Sequence, residues 1–150
     1  IANAGDTAIG HYAEASFFAD ANGDKSAVFA EDFKAKTGQY PINVQGHTVH
    51  GMWGIGEALK ALKPKAGDKL NVKALAFAME KVTVDTSVGP VKMRAEDHQA
   101  LLPLAVAIVS KDAKFKADNT DKGFQTIKLL TGEEASAPVQ PTCKMQRPAS

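Results

Sequence analysis

One stretch of the chain carries oxygen ligands at the spacing of a calcium-binding loop. Asp20, Asn22, Asp24 and Glu31 stand at positions 1, 3, 5 and 12 of that pattern, where carboxylate and amide oxygens coordinate Ca²⁺. The sharp turn of such a loop requires glycine at position 6, but Lys25 stands there. We therefore expect a polar turn that leads into a helix, and no calcium site.

Two other groups of residues are of types that bind metals or catalyse hydrolysis. His47 and His50 are three residues apart on one side of a predicted helix, but no third ligand has a suitable spacing. Asp6, His11 and Ser16 are the residue types of a hydrolase triad, but no nucleophile elbow or glycine-lined oxyanion hole accompanies them. The sequence therefore predicts no metal site, no catalytic residues and no cofactor.

Charge and composition exclude further classes of function. The 150 residues include 18 Lys and Arg against 17 Asp and Glu, a formal net charge of +1, which gives no reason to expect a nucleic-acid partner. No G-x-G-x-x-G or phosphate loop is present. The chain begins at Ile1 without an initiator Met or a signal peptide and has a single cysteine, Cys143. We therefore expect it to be part of a longer polypeptide.

The first third of the chain predicts a strand and two helices. The aromatic-rich residues 10–19 are typical of a strand. Ser26 is the predicted N-cap of a helix that ends at Gly38 and places Phe29 and Phe33 one turn apart. A second helix is predicted from Asn43 to the residues before Pro64, and its four glycines suggest that its backbone lies close to another group.

The remaining chain changes from helical to extended patterns. Asn71 is the predicted cap of a helix over 72–81, followed by extended residues 82–94 that turn at Gly89-Pro90. The apolar run 101–111 is typical of a strand buried on both faces, and residues 103–130 are predicted to form a β-hairpin. Mixed helices and strands indicate an α/β chain that ends in an extended, proline-rich tail.

Several strings in combination resemble the branched-chain amino-acid type of ABC transporter substrate-binding protein, a type I periplasmic binding protein. They are AGDTAIG at 4–10, AVFAEDFKAKTGQYP at 27–41, GIGEALKAL at 54–62, SVGPVKMRAEDHQALLPLAVAIV at 87–109 and PVQPTCKMQRP at 138–148. The resemblance covers essentially the whole chain.

This resemblance implies the type I periplasmic-binding-protein fold, in which two α/β lobes close around a solute. It implies that the chain is a C-terminal fragment that contributes to both lobes, with the N-terminal portion of the protein preceding Ile1. Residues of about 1–22 and 101–135 are then expected in the second lobe and about 23–100 in the first. Residues 136–150 would form the tail.

The resemblance also implies a ligand site. In amino-acid-binding members an acidic residue after Ala-Gly binds the ammonium group of the ligand, a role that falls to Asp6 with Thr7 beside it. A turn or cap carboxylate is the alternative for Asp6. The cleft-lining segment from the first lobe corresponds to Val44, Gln45, Gly46 and His47. Val44 stands where some relatives carry an aromatic side chain, so an aliphatic amino acid and an aromatic or other small carboxylic acid both remain candidate ligands.

Two further expectations follow from the same family. Asp97, His98 and Gln99 match a recurrent crossover motif, which implies a hinge position. Cys143 is a disulfide candidate whose partner cysteine would lie in the missing N-terminal portion, since the periplasm is oxidising.

The implied function is the periplasmic solute-binding component of an ABC importer. Such a protein closes around its ligand and delivers it to an ABC permease in the inner membrane, and its secretion or lipid-anchoring signal would lie outside this chain. A sensory or regulatory protein that uses the same fold without transport is the alternative. An enzyme is disfavoured because no nucleophile, base and oxyanion hole come together.

Overall fold

Two three-stranded antiparallel sheets organise the chain. The computed structural model describes residues 1–117 and 119–148. A 3₁₀ segment (Ala2–Ala8) precedes the regular elements, which are β1 (Tyr12–Ala15), α1 (Gly23–Thr37), α2 (Asn43–Leu62), α3 (Val72–Met79), β2 (Thr83–Thr86), β3 (Gly89–Met93), β4 (Ala100–Leu101), β5 (Leu104–Ser110), β6 (Gly123–Leu130) and α4 (Gly132–Ala135).

The first sheet has the order β1-β5-β6, with β5 in the centre. β5 and β6 pair from Leu104↔Leu130 to Ser110↔Gly123, which confirms the predicted hairpin. Every second residue of β5 is buried, while Leu104, Val106 and Ile108 between them remain half-buried. Among the described residues one face of β5 is thus buried and the other is half-buried, and burial of both faces stays a prediction.

A β-bulge in β6 explains how Asp20 is used. Val106 pairs with Lys128 and Ala107 with Thr126, so Ile127 has no partner in the register. The carboxylate of Asp20 accepts hydrogen bonds from the Thr126 backbone N–H at 2.9 Å and hydroxyl at 2.6 Å. Asp20 therefore stabilises the irregular part of the strand.

The second sheet has the order β2-β3-β4. Thr86 pairs with Gly89, so the turn consists of Ser87 and Val88, and the predicted turn at Gly89-Pro90 is wrong. The Thr86 hydroxyl donates to the Gly89 carbonyl at 2.6 Å and closes the turn. Pro90 lies within β3 and is tolerated there because β4 pairs only with Lys92 and Met93 further along the strand.

The start of α1 differs from the prediction. α1 begins at Gly23 with Asn22 in the N-cap position, so the prediction of Ser26 as cap is wrong. Ser26 is completely buried in the first turn, where its hydroxyl donates to the Gly23 carbonyl and accepts from the Asn22 N–H. Gly38 adopts the left-handed conformation (φ 84°) after the last turn, as expected of a C-terminal glycine.

The other two long helices follow the sequence closely. α2 spans Asn43–Leu62, as predicted, and ends in left-handed Lys63. The Asn71 side chain accepts a hydrogen bond from the Ala74 N–H at 3.0 Å and caps α3, which confirms that prediction. α3 ends at Met79, two residues earlier than expected. No described helix is long and apolar enough to cross a membrane.

The main core cluster joins the first sheet to the β2–β3 turn. Its buried members come from the segment after β1, from the β2–β3 turn and from β5, and are Phe17, Phe18, Ala21, Val88, Ala105 and Ala107. Phe17 is only 1% exposed. Apolar packing in this cluster thus holds the β2–β3 turn against β5 and the segment after β1.

Candidate ligand-binding site

Backbone pairing brings the 3₁₀ segment beside the end of the β5–β6 hairpin. The Gly10 N–H donates to the Val109 carbonyl, and the Val109 N–H donates to the His11 carbonyl, both at 2.9 Å. The last hairpin pair, Ser110↔Gly123, is closed by the loop that follows β5. Residues just before β1 and on both sides of this loop therefore meet at one edge of the sheet.

Asp6 pairs at this edge with two lysines that also pair with Asp121. Lys111 Nζ lies 3.1 Å from both Asp6 Oδ2 and Asp121 Oδ2. Lys122 Nζ lies 3.1 Å from Asp6 Oδ1 and 2.7 Å from Asp121 Oδ1. We call these four residues the charge ring, because two ammonium groups bridge two carboxylates in a closed cycle.

The charge ring keeps all its members ionised. Hydrogen bonds from Lys122 and then Lys111 lower the pKa of Asp121 to about 2. Hydrogen bonds from Lys111 and Lys122 also lower the pKa of Asp6. The Lys122 side chain is 8% exposed, whereas that of Asp6 is 68% exposed. Asp6 therefore presents an ionised, largely exposed carboxylate to solvent.

Thr7 stabilises the backbone that carries Asp6. Its hydroxyl donates to the Ala4 carbonyl at 2.5 Å. Between them Gly5 adopts φ 56°, a conformation that residues with a Cβ rarely adopt. Thr7 is itself exposed. The structure thus shows a turn-closing role for Thr7, and its predicted contact with a ligand stays a prediction.

The predicted residues on α2 form its first turn. The side chain of Val44 is 65% exposed, and Gln45 Oε1 accepts a hydrogen bond from the Ile42 N–H at 2.9 Å. Gly46 packs directly on Phe17, since a Cβ at Gly46 would lie 2.7 Å from Phe17 Cγ. The close approach expected of this helix therefore occurs at Gly46, and its partner is a core side chain.

His50 is a buried polar residue among aromatic rings. It is 5% exposed, and its ring centroid lies 5.4 Å from that of Trp53 and 5.6 Å from that of Phe29. His50 Nε2 lies 2.8 Å from the Ser87 hydroxyl. Burial, with a smaller contribution from nearby His47, lowers the pKa of His50 to about 4. His50 is therefore neutral at pH 7.

His47 lies beside a small cavity next to His50. Burial lowers the pKa of His47, and His47 Nε2 and His50 Nδ1 are buried without a hydrogen-bond partner in the described residues. Both line a cavity of about 210 Å³ whose other walls include Val84 and Met93. In residues 1–117 and 119–148 no three His, Cys, Asp or Glu residues are grouped so that they could hold a metal ion.

A second cavity lies where β1 ends and α2 begins. It has a volume of about 440 Å³ and is lined by aromatic rings that include Phe18, Tyr40 and Phe115. Asn43 lines it as well, and Asn43 Oδ1 is buried without a described hydrogen-bond partner. Another cavity, of about 750 Å³, lies against α3 and the tail, and none of the predicted ligand residues lines it.

The three predicted hinge residues form a tight turn between β3 and β4. Arg94 donates to both carboxylate oxygens of Asp97, at 2.9 and 2.6 Å, and the Gln99 N–H donates to Asp97 Oδ1 at 3.1 Å. His98 adopts φ 58° and its Nε2 lies 2.5 Å from Glu80. These contacts rigidify the turn, and rotation about Asp97, His98 and Gln99 on ligand binding stays a prediction.

The chain passes from one sheet to the other shortly after this turn. β3 and β4 belong to the same sheet and pair through Met93↔Ala100. β5 begins at Leu104 in the other sheet. The change of sheet therefore occurs at Leu102 and Pro103, a few residues beyond the segment that was expected to cross.

The tail packs on the β3–β4 turn and on α3. Arg147 donates to both oxygens of Glu80, at 2.5 and 2.6 Å, and its guanidinium lies 5.2 Å from the Phe77 ring centre. The Arg147 contact and then His98 lower the pKa of Glu80. Cys143 is an exposed free thiol, and its disulfide with another part of the protein stays a prediction.

Sequence reasoning did not identify Lys111, Asp121 and Lys122. The sequence did contain a pattern that predicts a cluster of charges here, because Lys-Asp at 111–112 and Asp-Lys at 121–122 stand at the two ends of the connector of the predicted hairpin. Antiparallel pairing brings the two ends of such a connector together. The link to Asp6 could not be predicted in the same way, because it depends on how the 3₁₀ segment folds beside β1.

A comparison with sequence families matches most of the chain. The family model described as "Periplasmic binding protein" matches residues 1–114. A curated relative, the "Leu/Ile/Val-binding protein homolog 4" of Brucella abortus (strain 2308), is 47% identical over 148 residues. That alignment covers 99% of this chain and 35% of the relative. The chain thus spans about a third of the length of that relative.

Solved structures of binding proteins also resemble this chain. The leucine-, isoleucine-, valine-, threonine- and alanine-binding protein from Brucella ovis, in a closed conformation, is 47% identical with a TM-score of 0.92, covering 99% of this chain and 38% of that one. A solute-binding protein of Rhodopseudomonas palustris BisB5 in complex with 3,4-dihydroxybenzoic acid is 20% identical with a TM-score of 0.70, covering 85% and 32%. The second match shows the fold alone, which is the type I fold expected from the sequence.

Proposed function

This chain belongs to the periplasmic binding protein family, and from that membership we propose that it is part of a solute-binding protein that serves an ABC importer and binds an aliphatic amino acid. The observation that carries the ligand class is the ionised, solvent-facing carboxylate of Asp6. A carboxylate in this state binds an ammonium group through charge-assisted hydrogen bonds. The name of the Brucella ovis relative, which specifies five amino acids, supports the same class.

We propose that the two sheets belong to two lobes. The β1-β5-β6 sheet uses residues within 1–22 and 101–135, and the β2-β3-β4 sheet lies within 23–101. A ligand that contacts both lobes only when they are closed shifts the population towards the closed form. In this arrangement Asp6 binds the ligand from one lobe and the first turn of α2 lies on the other.

The place of action follows from the same proposal. A binding protein that serves an importer works in the periplasm and hands its ligand to a permease in the inner membrane. Each step of binding and release is reversible and forms no covalent bond, so the role requires no catalytic group. We use "complete protein" for this chain joined to the N-terminal portion that the two-lobe fold requires.

The test is calorimetric titration of the complete protein with L-leucine and with benzoate. We expect leucine to bind and benzoate not to bind, because benzoate lacks the ammonium group that Asp6 recognises. Asp6→Ala should weaken leucine binding by at least about tenfold, the size of a hydrogen bond to a charged group.

Asp112→Ala is the matched control, since Asp112 is an exposed carboxylate next to Lys111 that lies outside the charge ring. It should leave leucine affinity unchanged. Tight benzoate binding in the absence of leucine binding would overturn the amino-acid class. Unchanged leucine affinity in Asp6→Ala would overturn the role of Asp6.

A further inference from the structure

We propose that Lys111 is an internal competitor for the ligand's ammonium group at Asp6, and that Asp121 retains Lys111 when the ligand displaces it. This inference rests on the proposed role of Asp6. It adds to that role a device within the charge ring that sets affinity and selects for ligands with an ammonium group.

Lys111 is placed between two equivalent acceptors. Its Nζ lies 3.1 Å from Asp6 and 3.1 Å from Asp121, and its side chain is 49% exposed. The lysine ammonium and the α-ammonium of an amino acid are the same chemical group, with the same preference for a carboxylate. Lys111 therefore occupies Asp6 in the way that the ligand would.

Lys122 differs from Lys111 in being fixed. Its side chain is 8% exposed, and it lies closer to Asp121 (2.7 Å) than to Asp6 (3.1 Å). The Thr120 hydroxyl and the Ala117 N–H both donate to its backbone carbonyl, at 2.8 and 2.9 Å. Lys122 is thus the positioning residue that keeps the two carboxylates together while Lys111 moves.

The exchange leaves no charge without a partner. Before it, Lys111 is shared by Asp6 and Asp121; afterwards the ligand's ammonium pairs with Asp6 and Lys111 pairs with Asp121 alone. Leaving a charge unpaired is the expensive step in breaking an ion pair. Because that step is avoided, displacement of Lys111 carries a small cost. A solute without an ammonium group has nothing with which to displace Lys111 and does not gain access to Asp6.

The experiment measures leucine affinity of the complete protein by calorimetry for two variants that act in opposite directions. Lys111→Met removes the competitor, so leucine affinity should rise about threefold, the size of a typical exposed ion pair. Asp121→Asn removes the alternative acceptor, so Lys111 should hold Asp6 more firmly and leucine affinity should fall by about the same factor.

Three measurements separate competition from a general effect of charge. Lys128→Met removes an exposed lysine on β6 and should leave the affinity unchanged. In an Asp6→Asn background, Lys111→Met should lose its effect because there is no carboxylate to compete for. The affinity for 4-methylpentanoate, which is leucine without its ammonium group, should not rise in Lys111→Met.

The outcomes for this inference and for the proposed function are distinct. If Asp6→Ala weakens leucine binding but Lys111→Met and Asp121→Asn change it in the same direction or not at all, competition by Lys111 is wrong and the role of Asp6 stands. An equal gain from Lys111→Met in the Asp6→Asn background would also overturn competition. Unchanged affinity in Asp6→Ala would overturn both.

Discussion

The charge ring and the surroundings of His50 differ in the burial and ionisation of their polar groups. In the charge ring, Asp6 and Lys111 are exposed and remain ionised, and each has more than one partner of opposite charge. His50 is buried among aromatic rings and neutral, and its one described hydrogen-bond partner is Ser87. Water-exposed charges exchange partners at little cost, whereas a buried charge is expensive. The first region is therefore suited to ligand exchange and the second to holding elements together.

Phe17 connects these two regions. It follows β1, whose sheet carries the charge ring, and its ring centroid lies 5.5 Å from that of Phe29 and 6.2 Å from that of His50. Phe17 also contacts the backbone of α2 at Gly46. Phe17 therefore packs on both α1 and α2, and α2 in turn contacts β2 of the other sheet.

The strongest way to disrupt this arrangement is to remove that side chain. Phe17→Ala should lower the free energy of unfolding by about 3–5 kcal/mol, because it removes a fully buried ring and leaves a cavity. The measurement is urea unfolding of the complete protein. Tyr12→Ala is the control, since Tyr12 is 70% exposed on the neighbouring strand and should change stability by less than about 0.5 kcal/mol. Equal losses of stability in the two variants would show that packing of Phe17 does not connect the two regions.

The neutral state of His50 makes a prediction about pH. An unfolded imidazole has a pKa of about 6.5, whereas the pKa of His50 in the fold is about 4. The unfolded state therefore binds more protons between these values, so stability is complete above the unfolded pKa and falls as the pH drops towards the folded one. Between about pH 7 and pH 5 the complete protein should lose about 2 kcal/mol of stability from this residue alone.

The variant His50→Gln tests that prediction. Glutamine at 50 retains a group that can hydrogen-bond Ser87 but does not titrate, so this part of the pH dependence should disappear. Restricting the measurement to this range separates His50 from Asp121, whose pKa of about 2 makes its contribution disappear only at more acidic pH. An unchanged slope in His50→Gln would show that the fold does not lower the pKa of His50.

Local signals predicted most of the elements in both regions. The bounds of α2, the Asn71 cap and the β5–β6 hairpin depend on residues close together in the chain, and the structure confirms them. Where two local signals competed, the prediction was wrong. Ser26 has the chemistry of an N-cap, but Asn22 and Gly23 start α1 earlier and leave Ser26 buried in the first turn.

Contacts between distant residues account for what the sequence could not predict. Asp6 and Lys111 are 105 positions apart, and His50 and Ser87 are 37 apart. Their pairing depends on sheet register and on which helix face packs inward. Sequence alone therefore suggested Asp6 through a family resemblance but not the lysines beside it. It also identified His50 as a polar helical residue without indicating that burial would remove its charge.

The smallest predicted change in stability concerns the contact between Gly46 of α2 and Phe17. Gly46→Ala places a Cβ 2.7 Å from Phe17 Cγ. Overpacking of this kind lowers the free energy of unfolding by about 1–3 kcal/mol. The better helix propensity of alanine raises it by up to about 1 kcal/mol. The net loss in the free energy of unfolding should therefore be about 1–2 kcal/mol by urea unfolding of the complete protein.

Gly51→Ala is the matched control for Gly46→Ala, because Gly51 lies in the same helix and a Cβ there meets no atom within 4 Å. It should raise stability by up to about 1 kcal/mol through helix propensity alone. If the loss in Gly46→Ala comes from the Phe17 ring, adding Phe17→Leu should make the second substitution cost less than it does in the unmodified protein, since the smaller side chain leaves room for the new methyl group. Strictly additive effects would instead mean that Gly46 and Phe17 do not press on each other, and that α2 is held to the β1-β5-β6 sheet by its other contacts.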